Sequence, residues 1–155
     1  MDNSIVSENQ FSKVIRDIMH ETLKLNLSHE IAGADVEKSY PSFVTGLMIL
    51  QGTKDIVLTL TFSKMAAAKI VVSLLGIKYT ELTEVGVYDA VMEITNMVSG
   101  RMKTVISATG EHYQLTTPFV FAGVDHFIEP RTRPIGTVIK LKDRQFEMLA
   151  GIYSM

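Results

Sequence analysis

One helix constrains this chain more than any other feature. Wound at about 100° per residue, Val87, Val91, Ile94, Val98, Met102 and Val105 fall on a single stripe within about 90°. Residues from about Thr83 to Ala108 are therefore predicted to form one long helix, closed by Gly110, with a dry side that must lie against a core. Asp89, Glu93, Asn96 and Gly100 take the opposite side, within about 60° of one another, with Lys103 at their margin. Met102 reads as core, and Met97 falls between the two faces, where it can pack against a partner.

The layer beneath that helix is written upstream. In "FVTGLMILQGTKDIVLTLTF", Gly52 to Asp55 is turn-like, and Val57, Thr59 and Thr61 alternate with Leu58, Leu60 and Phe62. That pattern predicts a β-hairpin. Ser63 is placed to N-cap "KMAAAKIVVSLL" and Gly76 to stop it, giving a helix apolar nearly all round and so expected to be well buried. Phe11, Val14, Ile15, Ile18, Met19 and Leu23 give a first helix over about residues 9–27. "AGADVEKSYPS" reads as a polar connector, with Pro41 favouring extended chain. The tail supplies three strand-like runs, "YQLTTPFVFAG", "IGTVIKLKD" and "QFEMLAGIYSM", with Pro118 suited to an edge. The expected architecture is a single α+β domain over residues 1–155, a two-layer arrangement with a mostly antiparallel sheet packed against helices.

Composition excludes several classes of function. The net charge of −2 gives no basic field for nucleic acid. A basic cluster does occur at Arg131, Arg133, Lys140, Lys142 and Arg144, but Lys140 and Lys142 alternate with Ile139 and Leu141 and read as the wet side of a strand. The absence of cysteine removes disulfides, thiol nucleophiles and thiolate metal sites, and fits a reducing cytosol. The apolar runs fall short of the ~20 residues a membrane span needs, and "MDNSIVSENQF" lacks a signal peptide's basic and apolar regions. A soluble, cytoplasmic protein without membrane insertion is expected. His20, His29, His112 and His126 are scattered, with no metal-binding spacing, so no metal site is expected. Glu111 with His112, and Asp125 with His126, flank strands and read as turn or solvated residues.

The chemical content sits on the wet face of the long helix. Glu93 and Asn96 are i,i+3 neighbours whose side chains can reach one external object together. Asn is a mediocre helix former and an interior Gly costs roughly 1 kcal/mol against Ala, so neither serves folding there. A glycine instead leaves a bare patch for close approach. A carboxylate offers acceptors for a partner's ammonium, and a carboxamide can orient a water without being a strong base. Aiming water at a phosphoryl group speeds hydrolysis when the electrophile and metal belong to another protein. On the residues alone the face is a docking surface, and chemistry stays open beside a merely solvated helix.

"DAVMEITNMVSGRMKT" resembles the signature helix of the CheC/CheX/FliY family of bacterial chemotaxis phosphatases, whose mark is Glu-x-x-Asn followed by a nearby glycine: Glu93, Asn96 and Gly100 here. CheC-like members usually carry a second such motif on the first helix. Here Glu21 is followed three residues later by Lys24, so that second site is absent, as in the CheX branch. The resemblance implies a CheC/CheX-like fold and removal of phosphate from the phospho-aspartate of a CheY-type response regulator. Glu93 would contact the regulator's active-site lysine and Asn96 would place the attacking water, with Asp89, Met97 and Gly100 facing the partner. It also implies Mg²⁺ in the regulator, no cofactor of the protein's own, and a homodimer joined through its sheets. The alternative is a non-catalytic docking module for a chemotaxis or flagellar-switch partner.

Overall fold

The computed structural model describes residues 6–126, 128 and 135–155. Arg131 and Arg133 of the basic cluster lie outside the described residues.

Helix α1 spans Glu8–Leu23 and starts on a capping box, with the Ser7 hydroxyl accepting from the Gln10 N–H and the Gln10 side chain accepting from the Ser7 N–H. It ends four residues earlier than its periodicity suggested, at Lys24 in the left-handed conformation (φ 57°). Leu23, Leu25 and Leu27 stay buried, but they alternate with exposed Lys24 and Asn26, the period of extended chain. That chain becomes β1, Ser28–Ile31.

The stretch expected to be a polar connector carries β1 and a short helix, α2, Ala34–Ser39. Val36 of α2 packs with Ala32, Tyr40, Val138 and Leu149, a small cluster on the far face of the sheet. The segment is polar on average, yet its few apolar residues find a distant partner in Leu149, which local composition does not reveal.

The hairpin forms as predicted. Strands β2 (Ser42–Gln51) and β3 (Ile56–Ser63) pair antiparallel, and Asp55 accepts from the Gly52 N–H across the turn. The tail adds β4 (Gln114–Leu115), β5 (Phe119–Ala122), β6 (Ile135–Lys142) and β7 (Glu147–Ser154). The sheet runs β1-β6-β7-β3-β2-β4, with β5 also on β2, and each described pair is antiparallel. β4 and β5 were expected as one strand. Between Leu115 and Phe119 the edge advances four residues while its partners on β2, Leu50 and Leu47, are three apart. The extra residue falls at Thr116–Pro118, where proline has no N–H to give the ladder.

Alternation sorts each strand between two faces. Val44, Met48, Leu50, Leu58, Leu60, Phe62, Ile139, Leu141 and Met148 point to the helices and are fully buried. Lys140 and Lys142 take the opposite, wet side, paired with Glu147 at 3.4 Å and Glu30 at 3.5 Å.

Helix α3 spans Lys64–Leu75; the Ser63 hydroxyl accepts from the Ala66 N–H at 3.1 Å, and Gly76 (φ 63°) ends it. Its all-round burial is not found. Ala66, Ala67, Ile70 and Val71 are buried, whereas Met65 is 80% and Leu75 54% exposed. Apolar composition states what a helix could bury; here only one side has neighbours.

Helix α4, Glu84–Ser107, begins where Thr83 accepts from the Gly86 N–H at 3.0 Å. Val91, Ile94, Val98 and Met102 are completely buried against the sheet and helices, while Val87 and Val105 at the ends are half-buried. Each of the four inner side chains is worth about 1.5–3 kcal/mol on burial, which fixes which way α4 faces. Gly46 sets how closely it sits: a Cβ there would lie 2.0 Å from the Thr95 hydroxyl and 3.1 Å from Val91. Gly46→Ala should therefore lift α4 from β2 and destabilise the domain by about 1–3 kcal/mol, read as a lower midpoint in urea.

Candidate functional site

The outer face of α4 keeps the order written in its sequence. Asp89, Glu93 and Asn96 are exposed and Gly100 is half-exposed. The side chains of Asp89, Glu93 and Asn96 make no hydrogen bond or ion pair to any described residue, so their donors and acceptors point to solvent. Glu93 and Asn96 sit side by side, one turn apart, with Cβ atoms about 5–6 Å from each other. A Cβ added at Gly100 would meet nothing within 4 Å. The glycine is therefore not required by packing inside the chain, and the hollow it leaves opens outward. Met97 sits at the margin, half-buried and packed against the core cluster.

One side of this face is fixed by α1. Arg101, next to Gly100, donates both guanidinium arms to Glu21 of α1, at 3.1 and 2.9 Å. The Arg101 hydrogen bonds hold the Glu21 carboxyl below its ordinary pKa, and the same contact raises that of Arg101. Glu21 is thus engaged, and Lys24, three residues on, already lies beyond the helix in a left-handed turn. No sequence signal foretold the Arg101–Glu21 pair, whose members stand eighty residues apart.

The other residues weighed from sequence lie elsewhere. His126 is more than a solvated turn residue. Its Nδ1 is 2.6 Å from the Gly123 carbonyl and its Nε2 2.7 Å from the Thr45 hydroxyl, which is 2.8 Å from that of Thr61. It pins the turn after β5 to the sheet face away from α4. Asp125 is exposed at φ 51° in that turn. Glu111 accepts from the Tyr113 hydroxyl at 2.8 Å; burial and then Glu111 push Tyr113 up to about 12. His112 is exposed. Among the described residues no group of three or more His, Asp or Glu is placed to hold a metal ion, and no helix is long and apolar enough to cross a membrane.

Comparison with known proteins gives this face a context. Residues 44–142, more than half of the 155-residue chain, match the family model described as chemotaxis phosphatase CheX. No curated protein matches the chain by sequence. Among solved structures, chemotaxis protein CheX from Vibrio vulnificus superposes with a TM-score of 0.81 at 24% identity, covering 96% of this chain and 98% of its own. A CheC-like superfamily protein from Shewanella sp. PV-4 gives 0.81 at 22%, covering 95% and 96%. CheX in a CheX–CheY–BeF3–Mg²⁺ complex from Borrelia burgdorferi gives 0.74 at 12%, covering 97% and 99%. At these identities the likeness is one of fold, and it extends along nearly the full chain.

Proposed function

Because the chain belongs to the chemotaxis phosphatase CheX family, we propose that it hydrolyses the phospho-aspartate of a CheY-type response regulator, with the outer face of α4 as its active surface. The observation that carries this reading is the pair Glu93 and Asn96: exposed, unpaired among the described residues, one turn apart, and followed by the open hollow at Gly100. The Borrelia CheX that shares the fold is seen in complex with CheY, which supports a regulator of that kind as partner.

The chemistry follows from what each group offers. The Glu93 carboxylate can only accept, so it takes hydrogen bonds from the regulator's active-site ammonium and fixes the docked orientation. The Asn96 carboxamide enters beside the phosphoryl group and aims a water at phosphorus. The water oxygen bonds to phosphorus as the acyl oxygen–phosphorus bond breaks, leaving the aspartate carboxylate and inorganic phosphate, with the water's proton passing to phosphate oxygen. A loose phosphoryl transition state needs positioning more than a strong base, which suits an amide. The Mg²⁺ that neutralises the phosphoryl oxygens belongs to the regulator. Asp89 and Met97 flank the contact, and Gly100 provides clearance.

A homodimer and a cytoplasmic location belong to the same reading. Phe119 and Phe121 on edge strand β5 are about half exposed, at 51% and 48%, and give a second copy an apolar face to cover.

The test is the decay of a phosphorylated CheY-type regulator with wild type and Glu93→Ala. Wild type should accelerate decay, and Glu93→Ala should raise KM by about tenfold or more, since a charge-assisted contact to a cation is worth about 1.5–3 kcal/mol. A wild type that binds without accelerating decay would instead mark the chain as a docking module.

A further inference from the structure

Two cations flank the Gly100 hollow, and the structure treats them differently. Arg101 turns toward α1 and is neutralised by Glu21. Lys103 is half-buried and makes no ion pair or side-chain hydrogen bond among the described residues. Neither an ion pair along the helix nor the helix end accounts for it. Its i−4, i−3, i+3 and i+4 neighbours are Ser99, Gly100, Ile106 and Ser107, none of them acidic, so no pair along the helix is available. It also stands before the last turn of α4, Thr104–Ser107, beyond which the macrodipole favours cations only weakly.

Its direction is set by the helix. Side chains lean toward a helix N-terminus, so a residue covers the surface one turn before its own Cα. From Lys103 that direction runs toward the patch at Gly100, which no side chain fills, and Asn96 lies one turn further on. Along the exposed face the order is thus carboxylates at Asp89 and Glu93, the carboxamide at Asn96, a hollow, and an ammonium.

Resting on the phosphatase reading above, we infer that Lys103 is a partner-specificity residue, whose ammonium contacts an anionic group of the regulator beside the phosphorylated site. The face then reads charge on both sides of Asn96, which fixes the sense in which the regulator docks. Because the stem of Lys103 is already half-buried, part of the cost of ordering it is met before docking.

The experiment compares wild type, Lys103→Met, Lys103→Arg and Lys103→Glu. It measures binding to a beryllofluoride-loaded regulator with Mg²⁺, and KM and kcat for decay of the phosphorylated form, at about 50 mM and 500 mM salt. Lys38→Met, on α2 across the sheet, is the control. Lys103→Met should weaken binding and raise KM about five- to tenfold at low salt, with kcat within about twofold, and the gap should close at high salt, where the Debye length is short. Lys103→Arg should restore binding and Lys103→Glu should be weaker than Lys103→Met. If Lys103→Met matches wild type at both salts while Asn96→Ala loses turnover, the Lys103 assignment falls and the phosphatase reading stands. If wild type binds without speeding decay but Lys103→Met still weakens binding, the phosphatase reading falls and the Lys103 contact stands. No binding by wild type overturns both.

Discussion

Asn96→Ala should cut phosphatase turnover by about 10²–10³ and leave the fold intact. Asn96 is exposed, has no partner among the described residues, and lies opposite the buried stripe of α4, so truncation removes no internal contact. Alanine is the better helix former by up to about 0.7 kcal/mol, so the melting temperature should hold or rise slightly. Activity should behave in the opposite way. Loss of one preorganised group at a reacting centre costs about 10²–10³ in rate, and positioning the attacking water is the role proposed for Asn96. Binding to a beryllofluoride-loaded regulator should stay within about threefold of wild type, because Glu93 and the surrounding face still dock. The measurement is regulator decay at saturating and limiting concentrations. A kcat that survives Asn96→Ala would remove the water-aiming role. Equal losses in binding and turnover would make Asn96 an ordinary contact.

The face behind that expectation is legible in the sequence because helix periodicity is short-range information, whereas the water-placing role of Asn96 is what the family resemblance implies. The positions of Glu93, Asn96 and Gly100 on one face, the extent of α4, the Ser63 cap and the β2–β3 hairpin all depend on residues within a few positions of one another. What the sequence hid depends on distant partners. Helix α2 is held by Leu149, more than a hundred residues downstream, and Tyr40 beside it donates to the Glu147 carbonyl at 2.6 Å. The exposure of Met65 and Leu75 follows from which neighbours α3 lacks. Nothing near Gly46 in the sequence marks it as more than a strand residue, because Thr95, which lies above it, is forty-nine positions away. At the site, the face was legible but its state was not. Only the packed molecule separates Arg101, tied to Glu21, from Lys103, which has no such tie among the described residues.

Gly100→Leu should make the protein more stable and less active, and the opposite signs are the point of the experiment. Gly100 has no need of glycine for its own fold: it is helical, and a Cβ there would meet nothing within 4 Å. Replacing an interior helical glycine with a good helix former gains roughly 0.8 kcal/mol, or about 2–3 °C in a domain of this size. Loops or cores under strain would show no such gain. The leucine side chain, however, leans toward the helix N-terminus and settles over the turn that carries Asn96 and Met97. There it occupies the hollow through which a partner's backbone would approach, so KM should rise by at least about tenfold. Gly100→Ala, smaller by three carbons, should give the full stability gain with a lesser loss of docking. A substitution that damages function through folding lowers both quantities, and one on a merely wet helix face raises stability at no functional cost. Stability up and docking down together, graded from Ala to Leu, can arise only if the missing side chain is room kept for another molecule.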